Sequence, residues 1–150
     1  MLLDCYVRYV GSLEEVEETN VYAGAALLAA GLGAALLGWL LFLWNETGTY
    51  GTQTFWTVRE LSVILCGLGV PVVFLGSVTL LLGRDRVTAL ALAGAAACAV
   101  AVLLFAATYP DAWDRPETFN SALGVSVYAV GVLSTTFATG AAFSCRLMET

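Results

Sequence analysis

Four long apolar runs separated by short polar connections dominate the chain. Val21–Trp44, Leu61–Leu82, Val87–Thr108 and Ala122–Phe143 each contain no charged side chain. At about 1.5 Å of rise per residue, a helix over any of these runs crosses a hydrocarbon core of roughly 30 Å. Helices also satisfy their own backbone groups, which lipid demands because an unpaired N–H or C=O there costs several kcal/mol. The pattern predicts an all-α integral membrane bundle of four transmembrane helices. The first run is expected to be a permanent span rather than a cleaved leader, since the segment before it is acidic and the run exceeds an ordinary h-region.

Ahead of the first span the periodicity changes. Leu2, Tyr6, Tyr9, Leu13 and Val16 recur at helical spacing, while Asp4, Arg8, Glu14, Glu15 and Glu18 fall largely elsewhere. Residues 1–20 therefore read as an acidic cytoplasmic tail carrying a short interfacial amphipathic helix, interrupted near Gly11. Ser12 and Glu15 form a capping box that restarts it. Residues 21–150 form the transmembrane domain.

Within the spans, small residues mark faces for close packing. Ala26, Ala30, Ala34 and Gly38 recur every four residues in the first span, a spacing that admits a neighbouring helix. Similar rows run through Ala89, Ala93, Ala97 and Ala101 and through Ala91, Ala95 and Ala99 of the third. The second span carries Gly67, Gly69, Pro71 and Gly76. A kink is expected there because Pro71 has no N–H to donate. Broken helices at midplane form transporter sites in some folds, but no ionisable residue accompanies this break and no matching break occurs in the other half. Packing is the favoured reading of all these positions.

Composition sharpens the picture. Hydrophobic residues make up 59% of the 150 and charged ones 12%; all six basic residues are arginine, and twelve acids leave a net charge of −6. Acidic connections without lysine fit a high-salt habitat, where screening shortens to about 3 Å. Arg8, Arg84, Arg86 and Arg146 lie on one side of a four-span topology and Arg59 and Arg115 on the other, so both termini are expected in the cytoplasm. Arg84 and Arg86 are expected to meet lipid headgroups. Asn45-Glu46-Thr47 is a possible glycosylation site in the first outer loop, although Asn45 directly follows Trp44 at the membrane surface.

Candidate chemistry is sparse. No Asp, Glu, Lys, Arg or His lies inside a span, where such residues mark transport paths and proton relays. Ser134, Thr135 and Thr136 form the densest polar cluster, which either lines a narrow polar seam or, as the favoured reading, serves helix-to-helix contact. Absence of His removes ordinary haem ligation, most zinc sites and imidazole catalysis. The four cysteines show no Cys-x-x-Cys spacing. The most pointed polar feature is Arg59-Glu60 at the start of the second span. With Tyr109 and Trp113 it forms a candidate outer-face interaction site.

Arg59-Glu60-Leu61, the run from Gly67 to Gly76, Tyr109-Pro110 and Tyr22-Ala23-Gly24 together resemble a family of small haloarchaeal four-helix membrane proteins without an assigned activity, some labelled permease. The resemblance implies a haloarchaeal cell membrane and no chemistry. The expected function is non-catalytic: an accessory, assembly or scaffold subunit of a larger membrane complex or homo-oligomer. The alternative is a small oligomeric transporter or channel for a neutral or weakly polar solute. The expected partners are the bilayer and other membrane subunits or a second copy, with no cofactor, metal or nucleic acid.

Overall fold

The computed structural model describes residues 18–81, 85–113 and 115–148. They form four helices: α1 Glu18–Asn45, α2 Gln53–Leu80, α3 Asp85–Thr108 and α4 Asn120–Met148. Each is long and apolar enough to cross a membrane, as the charge-free runs predict. The amphipathic helix expected in the tail lies outside the described residues, save that Glu18–Asn20 open α1.

The helices extend past the apolar runs because a helix ends where its cap lies, not where hydrocarbon stops. The clearest case is α2, which begins eight residues before Leu61. Thr52 caps it, its hydroxyl accepting the Phe55 N–H at 3.2 Å. At the other end, α2 continues as one helix through Pro71 to Leu80.

Packing divides the bundle into two antiparallel hairpins, α1 on α2 and α3 on α4. Helix α2 is central, touching both α3 and α4, whereas α1 contacts neither of them among the described residues. All four helices run alternately up and down, so residues 18 and 148 lie on the same side.

Small residues make each hairpin tight, but on a different face from the alanine stripe. The buried positions along α1 are Gly24, Gly31 and Gly38, with Val21 and Asn45 towards its ends; Ala26 and Ala30 are exposed and Ala34 is half-buried. The facing positions on α2 are Gly76, Gly69 and Ser62. A Cβ on Gly69 would lie 2.7 Å from the Gly31 carbonyl oxygen, and one on Gly76 would lie 2.6 Å from the Leu28 nitrogen. A Cβ on Gly38 would lie 2.6 Å from the Ser62 carbonyl oxygen. Both series step by seven residues (24, 31, 38 and 62, 69, 76). That is the period of left-handed crossings, in contrast to the four-residue repeat of right-handed GxxxG pairs.

The second hairpin uses the same device. Gly94 and Gly131 face each other so closely that a Cβ on either would stand 2.7 Å from the other's carbonyl oxygen. Cys98 is fully buried beside them, its thiol directed at the Tyr128 carbonyl at 3.7 Å. Between lipid-exposed helices there is no hydrophobic drive to associate, because acyl chains are as apolar as leucine. Close van der Waals contact along these glycine seams supplies the attraction instead.

Candidate functional site

Because α1 and α4 flank α2 without meeting, the bundle has a lateral opening between them. It leads into a groove of about 390 Å³ whose walls come from α1, α2, α3, α4 and the α3–α4 loop. Trp39 and Phe42 form one wall, Val125 and Tyr128 the other, and Phe105 and Trp113 close the loop end.

One polar bridge crosses the inner end of the groove. In an α-helix the carbonyl of Gly67 accepts from residue 71, four positions on, and residue 71 is proline. That carbonyl receives instead the Tyr128 hydroxyl from α4 at 3.0 Å. The glycine at 67 makes room for α3 rather than for the tyrosine: a Cβ there would stand 2.8 Å from a methyl of Val102 but 3.9 Å from the Tyr128 ring. The bridge joins the two hairpins at the point where the proline leaves a backbone acceptor open.

The hydroxyl and thiol donors of Ser62 and Cys66 in the lining are engaged within the protein. Ser62 donates to the Arg59 carbonyl at 2.8 Å, and the Cys66 thiol donates across to Ala35 of α1 at 3.3 Å. The groove surface is thus hydrocarbon and aromatic ring.

At the loop end an aromatic cluster surrounds Phe105. Tyr109 stacks on it at 4.7 Å and Trp113 meets it edge-on at 4.9 Å, while Trp56 approaches Tyr109 at 6.0 Å. Arg59 turns away from this cluster towards the end of α1. Its guanidinium lies over Phe42 at 5.1 Å and Phe55 at 5.7 Å, and reaches Glu46 at 3.8 Å. The four residues of the expected outer-face site are therefore divided. Arg59 ties the first hairpin, Tyr109 packs between hairpins, Trp113 lines the groove, and half-buried Glu60 has no ion pair among the described residues.

Asn45 is also not the exposed loop residue that a glycan requires. It is 7% exposed, and its amide nitrogen, the atom a glycan would occupy, donates to the Phe55 carbonyl at 3.2 Å. The Ser134-Thr135-Thr136 cluster fans around α4 instead of lining a seam. Ser134 bonds Val130, Thr135 and Thr136 both bond Val132, and of the three only Thr135 is buried. Arg86 is exposed in the first turn of α3, and Arg84 lies outside the described residues.

The sequence reading missed Tyr128. Its signal was present, since a proline inside a span leaves the carbonyl four residues earlier without a donor, and a tyrosine elsewhere in the apolar runs is a natural source of one.

Residues 1–148 match the family model described as cell division protein A, N-terminal domain. No curated protein and no solved structure matches the chain. The four apolar helices accord with the four-helix architecture of the resemblance, while the family description speaks of cell division and not of permeation. With the match running over almost the whole length, the chain belongs to the cell division protein A N-terminal domain family.

Proposed function

We propose that the chain is a non-catalytic, membrane-embedded assembly subunit of a cell-division apparatus, oriented with both termini in the cytoplasm. The observation that carries this reading is the family match over residues 1–148, borne by four spans whose interiors hold no Asp, Glu, Lys, Arg or His. Such spans are suited to holding a position in the bilayer and packing against neighbours. Their polar atoms serve the fold: the Tyr128 bridge, the Asn45 tie and the hydroxyls that bond their own helices. The acidic, lysine-free connections fit a high-salt, haloarchaeal setting.

A transport role lacks comparable support. The hydroxyls it needs are turned back on their own carbonyls, and the Ser62, Cys66 and Tyr128 donors of the groove are already engaged. The test is localisation in the native cells. A fluorescent fusion is expected to concentrate at the division site, and depletion is expected to give elongated cells. Uniform membrane fluorescence with normal division on depletion would overturn the proposal.

A further inference from the structure

The lateral groove has a definite size, and its size decides what enters it. Its lining on α2 runs from Ser62 to Val70, eight helical steps or about 12 Å at 1.5 Å each. Spreading 390 Å³ over that length gives a path about 6 Å wide for the centre of a water-sized sphere, or about 9 Å from wall to wall, narrower than a helix of about 10–12 Å diameter. The slot also runs from the aromatic loop end to the Tyr128–Gly67 bridge near mid-helix. Its length of about 12 Å is close to half of a hydrocarbon core of roughly 30 Å, the depth of one leaflet.

The chemistry narrows the occupant further. Ser62, Cys66 and Tyr128 are the hydrogen-bonding side chains deep in the lining, and each already donates within the protein. Water or a polar solute placed there would lose hydrogen bonds without replacement. Beside the α1 wall, outside the lining itself, Arg59 rests on the face of Phe42, whose ring forms part of that wall. Its ion pair with Glu46 is long, at 3.8 Å, and half exposed, so a cationic group stands at the mouth of an apolar slot.

We propose that this groove holds one hydrocarbon chain of a bilayer lipid, entering between α1 and α4, with its phosphate headgroup at the level of Arg59. The inference is independent of the division role, since a retained lipid would serve the bundle whatever assembles around it. The dry slot binds by shape: an empty one would leave its lining without partner atoms.

The test is native mass spectrometry of the full chain in mild detergent, titrated with dioleoyl phosphatidylglycerol. A one-lipid adduct that saturates at one per protomer is expected. Val125→Trp fills the slot from its α4 wall and is expected to lower adduct occupancy by about tenfold. Leu133→Trp, outward on the same helix and 68% exposed, is expected to leave it unchanged. Equal adducts on all three proteins would overturn the proposal, as would a dimer mass that Val125→Trp abolishes, which would make a second copy the occupant. If Val125→Trp does not fold, the wild-type protein still decides the matter. Trp39 and Trp113 line the groove, so a lipid with a nitroxide on its chain is expected to quench tryptophan fluorescence saturably, at a single equivalent. Quenching that rises linearly without saturation would refute the site.

Discussion

Replacing Tyr128 by Phe removes one oxygen atom and, on the account above, exposes the cost of Pro71. In the wild type the Tyr128 hydroxyl is the donor to the Gly67 carbonyl, at 3.0 Å. Without it that carbonyl faces an apolar groove with no donor, because residue 71 has no N–H. Interhelical hydrogen bonds in membranes average about 0.6 kcal/mol and reach about 1.7, whereas leaving a buried acceptor unmet costs about 1–3 kcal/mol. The expected loss for Tyr128→Phe is therefore about 1–2 kcal/mol. Pro71→Ala restores the missing N–H, at the expense of a buried ring, and costs about 1–2 kcal/mol by itself. In that background the Gly67 carbonyl has its helical donor again, so adding Tyr128→Phe should cost little. The cycle is read by equilibrium unfolding in mixed micelles followed by circular dichroism, with the coupling taken from the four proteins. A coupling of about 1 kcal/mol is expected. Equal costs for Tyr128→Phe in the wild type and in the Pro71→Ala background would refute the argument that the tyrosine compensates the proline.

Other consequences are simpler to check. Gly69→Val places a methyl-bearing carbon against the Gly31 carbonyl and should cost about 1–3 kcal/mol. Ala30→Val, on the exposed side of α1, should change stability by less than about 0.5 kcal/mol; thermal melts in detergent compare the two. Asn45→Ala should destabilise by about 1–3 kcal/mol through loss of the buried tie to Phe55. Translation of the wild type into microsomes should give no glycan-dependent mass shift. Arg59→Ala should cost less than about 1 kcal/mol, since its ion pair is long and solvent-exposed; a loss much above that would show that the Phe42 and Phe55 contacts anchor the end of α1.

The number of spans was legible because lipid imposes a simple rule, that charged side chains stay out of the hydrocarbon. The same rule is silent on where the helix α2 itself begins. It stops at Arg59-Glu60, but a helix capped by Thr52 projects beyond the apolar layer and carries Phe55, Trp56 and Arg59 on its surface. The packing face was harder to find. In so alanine-rich a helix small residues occur on every side, and a four-residue alanine row looks as suitable as any other. The discriminating sign was glycine at seven-residue steps, at 24, 31 and 38 against 69 and 76, where even a Cβ is too large. Residues distant in sequence that meet only through tertiary packing, such as Tyr128 with Gly67 or Asn45 with Phe55, leave no local periodicity. Each becomes visible only when one asks which donor satisfies a particular buried carbonyl.

The central claim is that the chain works by being built into a division assembly in the membrane. Affinity capture of the tagged full-length chain from native membranes, in mild detergent at high salt, tests it most directly when the eluted particle is weighed and its components are identified. A stable heteromeric complex that contains division proteins is expected. A homo-oligomer without such partners, passing a solute in proteoliposomes, would contradict it.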